Sequence, residues 1–295
     1  MLSESSIAFL KRLLDTPGPS GFESAPARVW RDEARAFADV TNDVAGNSMA
    51  VVNPNGAPTI MLAGHIDEIG VIVTYIDDEG YLYISGIGGW DPQVLVAQRI
   101  RIMGRGGDVY GVIGKKPIHV IKPEDRKKAS EMTDLWIDIG ATSREDAEKL
   151  VSVGDAGVID SRTIDFPNDC IVSRSIDDRI GAFVVLEALR RYSEQPGSAR
   201  VVAVATTQEE IAFQGGGARE RDADRPADGD RRRCHARDRL PHRREEGARP
   251  SQDRGRSRAH ARLDRVPGSV YAAARGGIAT FSPVHHPCGR PRILD

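Results

Sequence analysis

The sequence contains few cysteines, little net charge and no long hydrophobic run. None of its three cysteines belongs to a CxxC pair, which argues against a disulfide framework or a zinc knuckle and favours a reducing compartment. The formal net charge of -2 argues against a nucleic-acid or membrane partner. No apolar run approaches the roughly 18 residues of a transmembrane helix, and the first residues show no signal-peptide pattern. We therefore expect a cytoplasmic protein that binds neither membranes nor nucleic acid.

Large apolar side chains are almost missing from one long stretch of the last third. Between Phe213 and Leu263, Leu240 is the only residue of the Ile, Leu, Val, Met or aromatic type. A segment of this composition buries too little apolar surface to offset the entropy that ordering costs. As written, it is predicted to be disordered.

The rest of the chain alternates helical and strand patterns. Apolar spacing predicts helices over 3–14, 23–38, 141–152 and 178–192. A buried strand is expected to end in the GHIDE segment at 64–68, and a β-branched strand covers 199–207. Glycine-punctuated strands fill residues 69–120. This order predicts an α/β fold, a mixed sheet flanked by helices, with a β-rich segment inserted after about residue 70.

Three acidic motifs stand where a predicted strand ends or a helix begins. In GHIDE, His65 and Asp67 lie two residues apart, so both side chains point the same way in an extended segment. A carboxylate beside a metal-binding histidine fixes its tautomer. The alternative is a loop histidine beside a solvated acidic turn.

The other two motifs are adjacent carboxylate pairs. In SIDDR, Asp177 and Asp178 directly precede the long apolar helix, and in QEE, Glu209 and Glu210 follow the β-branched strand. Helix capping is the alternative for the first pair, and solvated loop glutamates for the second. His, Asp and Glu suit Zn²⁺, Co²⁺ or Mn²⁺, and strand ends are where open α/β sheets place their sites. Together the three motifs predict one shared metal site.

Five blocks occur in a characteristic order between residue 1 and about residue 219: LLDTPGPSGFE, AGHIDEIG, GGWDPQ, IDDRIG and TTQEEIAFQGGGAR. In these blocks the chain resembles the glutamyl-aminopeptidase and tetrahedral (TET) aminopeptidase family of dinuclear metallopeptidases, some members of which are labelled endoglucanase M. The resemblance implies hydrolysis of N-terminal residues from peptides by two divalent ions, zinc or cobalt, with manganese as a further candidate.

The resemblance also implies roles for the motif residues. His65 would bind one metal and Asp177 would bridge both, while Glu210 binds the metal opposite His65. Glu209 would be the general base, and Asp67 would orient His65. A catalytic domain would comprise 1–71 and 166–219, and the insert 72–165 would be a dimerisation domain in a homo-oligomer, commonly a dodecamer in this family.

The resemblance stops before the last third, where the family places two further metal ligands, an Asp in a strand and a His near the C-terminus. Nearby candidates here have no strand pattern around them: Asp230, Cys234, His235, Asp238, His285 and His286. Codons for RRCHARDRLP (232–241) can be chosen that encode VDVTHATDYP when shifted by one base. We therefore interpret 220–295 as a frameshifted, Arg-rich tail that replaces the rest of the catalytic domain. The competing interpretation is a degenerate, non-catalytic homologue that acts as a binding or assembly module.

Overall fold

The computed structural model describes residues 2–211, 269–275 and 278–284. Four helices lie in this part of the chain: α1 (Glu4–Asp15), α2 (Ser24–Ala34), α3 (Arg144–Glu148) and α4 (Ile176–Glu194). All four predicted helices are confirmed in position, although α3 covers only 5 of the residues predicted over 141–152. Ser3 caps α1 by accepting the Ser6 N–H at 3.0 Å, and Ser143 caps α3 by accepting the Asp146 N–H at 3.2 Å.

The second helix is shorter than the pattern predicted. It ends at Ala34, and the chain then enters the first strand, β1 (Asp39–Asn42). The pattern predicted a helix that extends to residue 38, past Phe37 and Ala38. In the structure these two residues lie outside the helix and pack against the core between the sheet and the helices.

A mixed four-stranded sheet carries the first core. It contains β1, β2 (Ser48–Val52), β3 (Thr59–His65) and β12 (Arg200–Thr206), in the order β1-β2-β12-β3. β12 runs parallel to β3 and antiparallel to β2, and α4 packs against both β3 and β12. The core between sheet and helices includes Phe9, Trp30, Phe183 and Leu186. The predicted mixed sheet with flanking helices is confirmed.

The strand β3 is less buried than its sequence predicted. Only its last two residues, Gly64 and His65, are buried, and the side chain of Ile60 is 44% exposed. The reason is position in the sheet. β12 has a neighbour on each side, whereas within the described residues β3 pairs only with β12.

The strand-rich segment after residue 69 closes into a barrel. Its six strands are ordered β4-β5-β8-β7-β6-β9. They are β4 (Gly70–Ile76), β5 (Leu82–Ile87), β6 (Arg99–Gly104), β7 (Gly107–Lys115), β8 (Leu135–Asp138) and β9 (Ala156–Ile159). The barrel has an aliphatic core of its own that includes Val71, Leu82, Ile100 and Leu135.

A second sheet joins the chain beyond the barrel to two strands near the C-terminus. Its strands are ordered β10-β11-β14-β13: β10 (Ile164–Phe166), β11 (Cys170–Ser173), β14 (Ile278–Val284) and β13 (Ser269–Arg275). The sequence pattern did not predict β13 or β14. The other expectations for 220–295, including the ligand candidates Asp230, Cys234, His235, Asp238, His285 and His286, fall outside the described residues. In the part that is described, no helix has the length and hydropathy that crossing a membrane requires.

Candidate metal centre

The parallel pairing of β3 and β12 brings two of the acidic motifs to one edge of the sheet. His65, the last residue of β3, is in register with Thr206, the last residue of β12. Glu209 and Glu210 follow β12 by three and four residues, so they leave the sheet beside His65. This is the carboxyl edge at which open α/β sheets place their sites.

Four of the predicted site residues converge there. His65 Nε2 lies 3.3 Å from Asp177 Oδ1 and 3.7 Å from Glu209 Oε2. One ligand atom each from His65, Glu209 and Glu210 can be chosen so that all lie within 4.8 Å of one another. Three separate segments therefore meet at one point. Unrelated solvated loops, the alternative for these motifs, would not converge in this way.

Asp67, the fifth predicted residue, lies behind His65 and is fully buried. Its Oδ1 is 3.4 Å from His65 Nδ1, on the side of the ring away from Asp177. Its Oδ2 accepts the Ser20 hydroxyl and, at 3.1 Å, the Glu210 N–H. Burial raises the pKa of Asp67, but the His65 contact and these donors outweigh it and lower that pKa on balance. Asp67 is therefore placed to orient His65 and the Glu210 backbone together.

The two aspartates at the start of α4 have different environments. Asp177 and Asp178, joined by a cis peptide bond, both have non-helical backbone angles. Asp178 is buried and accepts the Gly181 N–H at 3.1 Å, which is the capping role that the sequence left open for this pair. The Asp177 side chain is 41% exposed and faces His65. Of these two aspartates, Asp177 is the one that lies close to His65 Nε2, the ring nitrogen available to a metal.

The carboxylates of this cluster crowd one another in a partly dehydrated space. Burial raises the pKa of Asp178 and that of Glu210 to about 7; His65 opposes both shifts and the charge of Asp177 adds to them. Burial also raises the pKa of Glu209. A cation among these oxygens would relieve the repulsion.

His65 experiences the opposite field. Burial lowers the pKa of His65, but the contacts with Asp177 and Asp67 outweigh it and raise that pKa well above its usual value. A positive charge is thus favoured at the His65 ring, where a proton and a metal ion would compete. One imidazole and several carboxylates are a donor set for Zn²⁺, Co²⁺ or Mn²⁺, so the residues present fit a metal ion.

A fully buried arginine connects the segments that carry His65 and Asp177. Arg179 donates from Nε to the Ile66 carbonyl at 2.8 Å and from Nη2 to Glu68 Oε1 at 3.0 Å. Its Nη1 donates to carbonyls at the end of α1, including that of Leu13 at 3.0 Å. Because Ile66 adjoins His65, and Arg179 follows Asp177 by two residues, the guanidinium fixes the two ligand segments to each other.

Sequence reasoning missed a set of polar residues that support the site from other segments. Ser20 donates to Asp67, Glu23 accepts the Gln208 N–H at 3.0 Å, and Asn47 accepts the Thr207 N–H at 2.9 Å. The partners are separated in sequence by 47 to 185 residues. No local pattern could have paired them. The only signal was the occurrence of Ser20 and Glu23 in the LLDTPGPSGFE block.

Comparison with known proteins identifies the class to which this arrangement belongs. The model of a family described as M42 glutamyl aminopeptidase matches residues 46–224. A lysyl aminopeptidase of Pyrococcus furiosus is 34% identical over 70% of this chain and 60% of its own length. The chain therefore belongs to the M42 glutamyl aminopeptidase family, although it spans only about 60% of the length of that relative.

Solved structures agree with this assignment. A TET aminopeptidase from a marine sediment archaeon of the Thaumarchaeota is 40% identical, with a TM-score of 0.70 over 72% of this chain and 60% of that chain. A TET1 peptidase of Pyrococcus horikoshii, described as assembling into a tetrahedron or a large octahedral shell, is 31% identical, with a TM-score of 0.65 over 70% of this chain and 62% of that chain. The fold that was expected from the resemblance is thus confirmed.

Proposed function

We propose that this chain acts as a metal-dependent aminopeptidase that removes N-terminal residues from peptides. The observation that carries the proposal is the convergence of His65, Asp177, Glu209 and Glu210 at the carboxyl edge of the sheet. Family membership and the aminopeptidase names of the relatives support it.

His65, Asp177 and Glu210 would hold the metal. Asp177 offers two carboxylate oxygens that could bridge two ions, one of them 3.3 Å from His65 Nε2, and Glu210 can place a ligand atom within 4.8 Å of one from His65. Zinc or cobalt is proposed, with manganese as a further candidate. Bound divalent ions would supply Lewis-acid polarisation of the scissile carbonyl and a lowered pKa for the attacking water. A second ion would need further ligands from outside the described residues.

Glu209 is proposed as the general base. Its side chain is 24% exposed, so a substrate and a water molecule can reach it, and Oε2 points toward His65 Nε2. The carboxylate takes one proton from the attacking water as the C–O bond forms. It then delivers that proton to the amine nitrogen as the C–N bond breaks, which restores the carboxylate. Asp67 contributes by holding the His65 ring from behind.

The barrel is proposed as an assembly domain. Residues 72–165 would form a dimerisation domain, and 1–71 with 166–219 would form the catalytic domain of a cytoplasmic homo-oligomer. The barrel has its own core, and the assembly described for the Pyrococcus horikoshii TET1 peptidase supports an oligomer. Light scattering on the purified chain tests this, and a monomer at all concentrations would contradict it.

The proposed activity is tested with a panel of aminoacyl-p-nitroanilides, assayed with added Zn²⁺, Co²⁺ or Mn²⁺ and after chelation. Metal-dependent release of p-nitroaniline from at least one substrate is expected, and loss of the signal after chelation identifies the metal requirement. A chain that binds the metal and releases no p-nitroaniline from any substrate would favour the non-catalytic alternative, a binding or assembly module.

A further inference from the structure

The loop that carries Glu209 and Glu210 is held through its main chain by side chains from three distant segments. The N–H of Thr207 donates to Asn47 Oδ1 at 2.9 Å, and that of Gln208 donates to Glu23 Oε1 at 3.0 Å. The N–H of Glu210 donates to Asp67 Oδ2 at 3.1 Å. These loop residues are outside the strand and lack its main-chain hydrogen bonds. The three side-chain acceptors therefore position the backbone that carries the two glutamates.

Glu23 contacts the residue of that loop whose backbone conformation is least favourable, Gln208. Gln208 has a φ of 57°, in the left-handed region that residues other than glycine seldom occupy. Such a conformation persists only where the surroundings impose it. The contact from Glu23 Oε1 falls on the N–H of this residue, and the same oxygen accepts the Gly21 N–H at 2.8 Å.

Helix capping does not account for Glu23. The residue occupies the N-cap position of α2, yet its side chain makes no capping hydrogen bond to that helix. The carboxylate is instead directed across the interior, and the residue is only 6% exposed. Burial raises the pKa of Glu23, and the nearby charge of Asp67 acts in the same direction, so a carboxylate at this place is costly for stability.

We propose that Glu23 is a positioning residue of the active site: it holds the backbone of Gln208 and thereby aims the side chains of Glu209 and Glu210 at His65. This inference rests on the proposed metal-dependent function. Removal of Glu23 would release the loop and weaken metal binding. Direct hydrogen-bond partners of metal ligands typically change metal affinity by about 10- to 100-fold, and since Glu23 acts through the Gln208 backbone we expect the lower end of that range.

The experiment compares four variants of the full chain. Glu23→Ala removes the acceptor, and Glu23→Gln keeps an oxygen where Oε1 stands. Glu23→Asp keeps the charge but withdraws the oxygen by one methylene, and it replaces the alanine variant if that fails to fold. The matched control is Glu187→Ala, which removes an equally buried carboxylate from α4 that accepts from Ser6 and Arg190.

Two properties are measured: hydrogen–deuterium exchange of the peptide spanning 206–211, and Co²⁺ binding followed by visible d–d absorption. Glu23→Ala and Glu23→Asp are expected to speed exchange in that peptide, to weaken Co²⁺ binding by about 10-fold and to change the absorption spectrum. Glu23→Gln should recover most of both properties. Glu187→Ala should match the unsubstituted chain in both.

Two results would overturn the inference. One is unchanged exchange in a folded Glu23→Ala or Glu23→Asp variant. The other is faster exchange with unchanged Co²⁺ affinity and spectrum, since Glu23 would then be structural only. If the unsubstituted chain binds no Co²⁺, the proposed function fails, and the exchange measurement alone decides whether Glu23 holds the loop.

Discussion

Arg179 Nη2 donates to Glu68 Oε1 at 3.0 Å, and both side chains are almost completely buried beneath the candidate site. Glu68 also accepts the Gly18 N–H at 3.1 Å and lies 2.9 Å from Arg174. Removing Glu68 would leave the buried Arg179 without its ion-pair partner. We expect Glu68→Ala to lower the free energy of unfolding by about 3–5 kcal/mol, measured by urea denaturation.

The control for this prediction is an exposed ion pair. Lys11 and Asp165 are 2.7 Å apart, and the Asp165 side chain is 69% exposed. Asp165→Ala should cost no more than about 1 kcal/mol because solvent screens such pairs. Equal losses in the two variants would show that the buried ion pair has no special importance.

Glu209→Gln separates metal binding from turnover. The amide keeps the shape of the side chain but cannot take a proton, so we expect metal content to persist and the turnover rate to fall by about 10²- to 10⁴-fold. Metal analysis and the p-nitroanilide assay measure the two properties. Glu145→Gln, at an exposed position of α3, should leave both as they are. Unreduced turnover in the Glu209→Gln variant would show that Glu209 is not the general base.

Metal should stabilise the fold through the same residues. A ligand present at 100 times its dissociation constant stabilises the native state by about 2.7 kcal/mol. Adding Zn²⁺ or Co²⁺ is therefore expected to raise the melting temperature, and a chelator should reverse the change. His65→Ala should eliminate most of the shift, and an undiminished shift in that variant would place the ion elsewhere.

Gly64 sets the closest approach of β3 to α4. A Cβ at this position would overlap the backbone of Gly181 and Ala182, and backbone atoms cannot move aside as a side-chain end can. Gly64→Ala is expected to lower the free energy of unfolding by about 1–3 kcal/mol and to weaken metal binding, because α4 carries Asp177. Gly106→Ala is the control, since a Cβ there meets nothing within 4 Å. Equal stability of the two variants would contradict the prediction.

The interpretation of 220–295 as a frameshifted tail remains a prediction. We expect the native gene, near codon 219, to differ by the insertion or deletion of one base from a gene that encodes this sequence. The mass of the intact natural protein should likewise differ from the 32.1 kDa of this sequence. If the natural protein has this mass and contains the arginines of residues 220–295, the interpretation is wrong.

Local patterns were sufficient to locate the elements that form the site. The Ser3 cap and the spacing of Phe9, Leu10 and Leu13 predicted α1, and the β-branched run over 199–207 predicted β12. Because the patterns of β3 and β12 stop next to His65 and before Glu209, the positions of these two residues at the sheet edge followed from the strands alone. The resemblance added the roles, which no periodicity contains.

Long-range relationships could not be predicted in this way. Asp177 and Asp178 are adjacent and chemically identical, and only packing makes one a helix cap and directs the other toward His65. Glu23 looked like an ordinary helix start. Its partner Gln208 is 185 residues away, and such pairings arise from the assembled fold rather than from local propensity.

The in-register pairing of Thr206 with His65 determines which mutations the centre can tolerate. Deleting one residue from β12 would turn every later side chain of that strand to the opposite face and draw Glu209 back by about 3.3 Å relative to His65. Exchanging one aliphatic side chain for another within the strand would do neither. We therefore expect these two strands to tolerate many aliphatic substitutions but not a change in their number of residues.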